Sequence, residues 1–204
     1  MTCYIVAAGE LCPGDLDFTL QPEDLLIAAD GGYASLQTAG RTPHLFVGDG
    51  DSLGTLPTDC PTVALPVEKD DTDLLAAAKE GLARGCTEFV ILGGLGGRRF
   101  SHSVANLQVL AWLARHRAHG CLRAGTTRVE LLTRTTRFCA GCRGSISLFA
   151  YGGPAVVSLA GLKYPLRRKK LTPSFPLGVS NAFTGQPAAV TLHKGRVLAI
   201  WEEE

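Results

Sequence analysis

"DTDLLAAAKEGLARGCTEFVILGGLGG", residues 71–97, holds three textures in succession. The first is an Ala- and Leu-rich run that opens on acidic residues and stops at Gly85, which predicts a helix over 74–84. Leu74, Leu75, Ala78 and Leu82 form its apolar stripe. The second, residues 88–92, is apolar without alternation after Glu88, the pattern of a central parallel strand covered on both faces. The third is a glycine-rich loop, Gly93 to Gly97. Helix, strand and strand-end glycines in this order predict an α/β fold with an open, mostly parallel sheet.

The same grammar extends upstream. Residues 2–8 read as a strand, and 24–29 as a second that halts at Asp30-Gly31-Gly32. A short helix over 33–39 closes at Gly40, and strands follow at 45–48 and 61–66. Downstream, 103–118 predicts a helix with Val104, Leu107, Leu110, Leu113 and Ala114 facing inward. After about residue 125 the helical patterns end. Short strand-like segments at 127–132, 145–150, 155–160, 188–193 and 196–201 predict a C-terminal all-β sandwich. The expected division is therefore 1–125 as an α/β domain and 126–204 as a β domain.

The 204 residues are 46% hydrophobic, enough for a substantial core. A formal net charge of +1 gives no case for nucleic acid as a partner. Seven scattered cysteines do not form a disulfide framework, and the first residues lack a basic leader. No apolar run approaches a membrane span. The expectation is a cytoplasmic chain with reduced thiols and no membrane partner.

Ligands of open α/β sheets bind at the carboxyl ends of the strands. Asp30, Asp49, Asp51 and the 93–97 loop all stand at such positions. In "GDGDS", 48–52, Asp49 and Asp51 alternate, so in extended chain both carboxylates point one way and repel unless a cation lies between them. A hard divalent ion with oxygen ligands, Mg2+, answers that need; an acidic surface turn is the plainer alternative. "KDDTD", 69–73, sets Lys69, Asp70, Asp71 and Asp73 before the 74–84 helix, where capping through Thr72 needs only one of them. Gly94, Gly96 and Gly97 let backbone N–H groups approach phosphate oxygens, and Arg98 or Arg99 adds a guanidinium. The loop matches neither a Walker A motif nor a dinucleotide fingerprint. Carboxylates for a metal, glycines for phosphates and cations to spread charge are the equipment of phosphoryl-type transfer. His102 is a further base candidate beside a structural reading near a helix start.

Two other motifs point elsewhere. "CAGC", 139–142, has redox or zinc spacing, but no second cysteine pair accompanies it and no helix follows. "RRKK", 167–170, reads as a solvated turn, with no interleaved aromatics for nucleic acid. Trp112 reads as packing, whereas Trp201 fits either packing or a site.

Taken in order, "ADGG" (29–32), "GDGDS" (48–52), "KDDTD" (69–73), "GGLGGRRFSHSVAN" (93–106), "GLKYPL" (161–166) and "GVSN" (178–181) resemble the thiamine pyrophosphokinase family over nearly the full chain. That resemblance implies an N-terminal α/β domain and a C-terminal β-sandwich. It implies a homodimer with the active site at the subunit interface, and Mg2+-dependent transfer of a diphosphoryl group from ATP to thiamine. It makes Asp49, Asp51 and Asp73 the Mg2+ ligands, with Asp70 and Asp71 in the catalytic set. Asp30, Gly31, Lys69, Gly94, Gly96, Gly97, Arg98, Arg99 and His102 fall to ATP, with Arg99 also catalytic. Ser180 and Asn181 fall to thiamine; Tyr164 joins them as a candidate on a separate ground, that an aromatic face suits a cationic ring. Asp71 and Asp73 are both open as acceptors of the hydroxyl proton. Two departures stand out: one residue is inserted, so that Ser101 stands where the family has Asp, and Gly50 replaces a common Phe. The rival readings are a pterin-alcohol diphosphokinase with the same metal logic, and a nucleotide- or thiamine-binding sensor.

Overall fold

The computed structural model describes residues 1–97 and 99–203. Its chain divides into two compact units, Met1–Gly125 and Thr126–Glu204. In chain order, the first unit contains β1 (Thr2–Val6), β2 (Leu25–Ala29), α1 (Gly32–Thr38), β3 (Leu45–Gly48), β4 (Thr62–Ala64), α2 (Asp73–Ala83), β5 (Glu88–Leu92), α3 (Phe100–Arg115) and β6 (His119–Ala124). Its strands run in the order β6-β5-β1-β2-β3-β4, every pair parallel.

Strand alternation sorts the apolar side chains onto two faces. Val6, Leu26, Ala28, Phe46 and Leu92 pack with Leu36 of α1. Cys3 and Phe89 point the other way, where Gly81 of α2 lies so close that a Cβ there would meet the Phe89 ring at 2.6 Å. Covering both faces explains why β5 is an unbroken apolar run. Thr72 caps α2, its hydroxyl accepting from Leu75 N–H at 3.2 Å.

The α3 helix begins at Phe100, three residues before the expected start. Its buried face is Ser103, Asn106, Val109, Leu110 and Leu113, while Val104 is 44% exposed. The polar pair at the N-terminal end serves the glycine loop, so an apolar-stripe reading misses it. Strand β6 was not expected because Gly120 weakens its pattern. That glycine is required: a Cβ would meet Leu113 at 2.8 Å and Leu110 at 2.9 Å, so α3 could not settle.

The second unit is all β. It comprises β7 (Thr127–Leu132), β8 (Thr136–Phe138), β9 (Ser145–Ala150), β10 (Ala155–Ala160), β11 (Leu166–Leu171), β12 (Gly178–Ala182), β13 (Ala188–Lys194) and β14 (Val197–Glu202). Antiparallel layers β12-β9-β14-β7 and β11-β10-β13-β8 face one another as a sandwich. Both layers supply its core, through Ile146, Leu148, Val157, Val190, Ala199 and Trp201. Trp201 is therefore packing: it is 8% exposed and meets the Phe138 ring edge-on at 5.6 Å.

Sequence pattern did not announce β8, β11 or β12. The "RRKK" run is a strand, not a turn. It lies on the exposed edge of its sheet, held at its ends by Leu166 and Leu171. Lysine and arginine on an edge strand discourage pairing with another chain. In "CAGC", Gly141 takes φ +96° in a turn and Cys142 packs against the sandwich core, while Cys139 is exposed. No disulfide forms among the described residues. No helix among them is long and apolar enough to cross a membrane.

Candidate active site

Two neighbouring strand ends build the acidic cluster. Asp30 follows β2 with φ +46°, a left-handed conformation that Asp tolerates better than most residues. Asp49 follows β3. The two approach because Gly48 has no side chain: a Cβ there would stand 3.1 Å from Asp30 Cα. Gly50, at φ +74°, then turns the chain, and Asp51 N–H donates to Asp49 Oδ1 at 3.2 Å. Ser52 Oγ donates to Asp30 Oδ2 at 2.7 Å and lies 3.2 Å from Asp51 Oδ1.

One carboxylate oxygen from each of Asp30, Asp49 and Asp51 lies within 4.8 Å of the others. Asp30 Oδ1 is buried without a hydrogen-bond partner. Three converging carboxylates, one of which also carries a buried unpaired oxygen, fit a divalent cation such as Mg2+. The expected ligands Asp49 and Asp51 are together, and Asp30 completes their group. Asp73 reaches the cluster through a lysine instead. Lys69 Nζ lies 2.8 Å from Asp49 Oδ2 and 2.7 Å from Asp73 Oδ1. The hydrogen bond from Lys69, assisted by Asp51 N–H, holds the Asp49 carboxyl below its ordinary range. Burial pulls the Lys69 ammonium down, but its bonds to Asp49 and Asp73 outweigh that and hold it above the ordinary lysine value.

Next to the cluster is a cavity of about 390 Å3 bordered by Asp30 and Asp73. Its floor is main chain. Gly9 N–H donates to Gly93 O at 2.9 Å, and a Cβ on Gly9 would overlap that oxygen at 2.2 Å. Gly93, Gly96 and Gly97 all take positive φ, between 65° and 79°. From α3, Asn106 Nδ2 donates to Gly94 O at 2.8 Å and Ser103 Oγ to Gly96 O at 3.2 Å. Ser103 and Asn106 were not singled out in the sequence; their clue was a polar pair at helical spacing just after a glycine loop.

Two helix N-termini also open on this cavity. Thr72, Asp73 and Leu74 bring the start of α2, and Arg99, His102 and Ser103 the start of α3. Unpaired N–H groups and the positive dipole end favour an anion there. Gly94, Gly96, Gly97, Arg99 and His102 thus line one cavity, whereas Gly31 lies beside Ala8, with a Cβ contact of 3.0 Å. Arg98 lies outside the described residues.

The remaining candidates are dispersed. Asp71 is ion-paired with Lys79, away from Lys69. Asp70 is exposed and lines a second cavity with Leu75 and Trp112, between α2 and α3. Ser101 is exposed in the first turn of α3. In the second unit, Ser180 is exposed at φ +58° and its N–H donates to Ser147 Oγ at 3.1 Å. Asn181 is 5% exposed, and its amide is spent on backbone. Tyr164 is 56% exposed, with Lys163 Nζ 5.4 Å from its ring centroid.

Comparison with known proteins adds a family. By sequence, no curated protein matches the chain. Among solved structures, thiamine pyrophosphokinase from Bacillus subtilis superposes with a TM-score of 0.88 at 24% identity, covering all of both chains. Thiamin pyrophosphokinase from Geobacillus thermodenitrificans gives 0.83 at 23%, over all of this chain and 98% of that one. The enzyme of that name from Candida albicans gives 0.81 at 16%, over all of this chain and 89% of that one. These likenesses establish a shared fold. Family models go further: "Thiamin pyrophosphokinase, catalytic domain" matches residues 16–122, and "Thiamin pyrophosphokinase, vitamin B1 binding domain" matches 139–197. The first match alone spans more than half of the sequence, and the chain belongs to the thiamin pyrophosphokinase family.

Proposed function

We propose that the chain transfers the diphosphoryl group of ATP to the hydroxyethyl oxygen of thiamine, giving thiamine diphosphate and AMP. The observation that carries this reading is the Asp30-Asp49-Asp51 group at the lip of a glycine-floored cavity into which two helices point their N-termini. Phosphoryl-type transfer needs positioning and charge neutralisation more than a nucleophilic side chain. Asp30, Asp49 and Asp51 would hold Mg2+, which supplies charge neutralisation on the transferring phosphates. The N–H groups of the 93–97 loop and the starts of α2 and α3 receive phosphate oxygens. Arg99 and Lys69 spread the remaining charge, and His102 borders the same space. Of the two aspartates open as proton acceptors, Asp73 lines the cavity while Asp71 is drawn off by Lys79. Asp73 is therefore the better placed to take the proton of the attacking hydroxyl.

The second unit supplies the thiamine-binding side of this reading. Ser180 offers a hydroxyl, and Tyr164 offers a face for a cationic ring. Asn181 acts on the site by holding Tyr164. Exposed Phe175, Leu177 and Val179 lead up to Ser180 in sequence, and exposed Tyr164 is tied to the adjacent Asn181; a homodimer in which a second copy covers them accounts for that exposure.

The test is mass spectrometry of products from purified protein, Mg·ATP and thiamine. Thiamine diphosphate and AMP in equal amounts are expected, and Asp49→Asn should abolish both. Folded, Mg2+-supplied protein that makes neither would overturn the reading. AMP formed only with a pterin alcohol would replace the acceptor and keep the chemistry.

A further inference from the structure

Lys69 holds one of the three carboxylates that a metal would need, Asp49. Its ammonium is on Asp49 Oδ2, and Asp51 N–H is on Asp49 Oδ1, so both oxygens of that carboxylate are engaged. Its second contact is Asp73 Oδ1. The lysine is not a loose surface residue: its side chain is 14% exposed, and Asp49 is 10% exposed. One ammonium nevertheless serves a neighbourhood of four carboxylates, Asp30, Asp49, Asp51 and Asp73. Asp30 Oδ1 stays buried without a partner beside it. The cluster is thus partly neutralised and primed for more positive charge.

We propose that Lys69 is a resident counter-ion that makes metal entry depend on nucleotide. With the cavity empty, the ammonium occupies Asp49 and opposes a free divalent cation, both by holding its ligand atom and by charge. When triphosphate oxygens arrive in the adjoining cavity, they offer Lys69 new anionic partners. The ammonium leaves the carboxylates: Asp49 opens to the metal that comes with the phosphates, and Asp73 is freed to take the proton of the attacking hydroxyl. Free metal then binds poorly, and metal with nucleotide binds well, although no side chain is added to the site between the two states. This rests on the reading of the site as one for a metal–nucleotide complex, and it adds an order of events to that reading. By linkage, nucleotide must tighten metal by the same factor as metal tightens nucleotide, and Lys69 carries part of that factor.

Mn2+ is the probe, followed by its electron paramagnetic resonance signal and by calorimetry, with α,β-methylene-ATP as a nucleotide whose scissile linkage cannot be cleaved. No turnover is needed. Lys69→Met should bind free Mn2+ about tenfold more tightly than the unaltered protein, and the gain from adding nucleotide should shrink by a similar factor. Lys69→Arg, which keeps the charge, should stay close to the unaltered protein. Thermal melts of both variants confirm that they are folded. Free Mn2+ binding that is unchanged or weaker in Lys69→Met overturns the proposal, and so does an Arg variant that behaves like Met. If the unaltered protein binds no Mn2+ even with the nucleotide, the metal–nucleotide reading itself fails. Binding with an unaltered coupling factor in Lys69→Met removes only the role given to the lysine.

Discussion

Asn181 holds the backbone of Tyr164 from both sides: its Oδ1 accepts from Tyr164 N–H at 2.9 Å, and its Nδ2 donates to Tyr164 O at 2.7 Å. The same Oδ1 also accepts from Ala182 N–H at 2.9 Å. A buried amide used in this way clamps the segment after β10 to strand β12. The "GVSN" and "GLKYPL" motifs, 17 residues apart at this contact, are two halves of one bracket.

Replacing that amide should therefore damage stability as well as binding. Asn181→Ala leaves three half-buried backbone groups without their partner, and a loss of about 2 kcal/mol is expected from urea denaturation. Ser180→Ala, at an exposed hydroxyl, should leave the midpoint nearly unchanged. Equal losses in the two variants would remove the distinction between clamp and surface.

Asp30→Asn tests the third member of the acidic group. Asn tolerates the left-handed backbone at this position, so the change removes charge with little strain. Divalent-ion affinity in the presence of nucleotide should fall at least tenfold, roughly the scale of one lost hard ligand. The melting temperature should hold or rise, because mutual repulsion among the carboxylates falls. Calorimetric metal titration beside a thermal melt reads both effects.

Gly50→Ala should be harmful despite its size. The position has φ +74°, and a Cβ would stand 2.8 Å from Leu56 Cδ2. Strain of about 1 kcal/mol is expected, from the backbone alone. The metal affinity should fall with it, because the turn sets Asp49 against Asp51. The Phe common in the family at this place would be more strained still on this backbone. The departure seen in the sequence is thus matched by the local conformation.

Asp24 gives a pH signature. Burial would raise its carboxyl, but the N–H groups of Thr2, at 2.8 Å, and Gln21, at 3.0 Å, outweigh that and hold it below the ordinary 3.8. A depressed folded value contributes stability that is present above the unfolded value and lost as pH falls through the folded one. Asp24→Asn should therefore cost about 2 kcal/mol at pH 7, with the deficit narrowing below pH 4. Urea midpoints of both proteins across that range decide it, and a constant deficit would exclude the charge as its source.

The first unit was legible where side-chain pattern and secondary structure agree. Strands β3 and β5 fell at 45–48 and 88–92 as expected, because a strand buried on both faces leaves a continuous apolar run. Failures came where tertiary packing reverses a local signal. Gly120 hid β6 because its lack of a side chain serves α3, and four cations hid β11 because an edge strand needs them. The candidate site followed a similar division. Paired carboxylates and glycines announce themselves by type and spacing. The company each aspartate keeps depends on which strand ends lie side by side, so neither the joining of Asp30 to Asp49 nor the Lys69 bridge to Asp73 was readable from spacing. Ser103 and Asn106 were missed because their partners are carbonyl oxygens, which every residue possesses.

The cavity floor, with Gly9 seated on Gly93, has a consequence for how this site can vary. Its donors are peptide groups, so most substitutions cannot retune their chemistry. They can only fill the space above them or bend the chain that presents them. Divergence is thereby pushed outward to the rim, where Arg99, His102 and Asp73 have side chains that selection can exchange. A lineage could change the rim many times over while the main-chain floor stays the same.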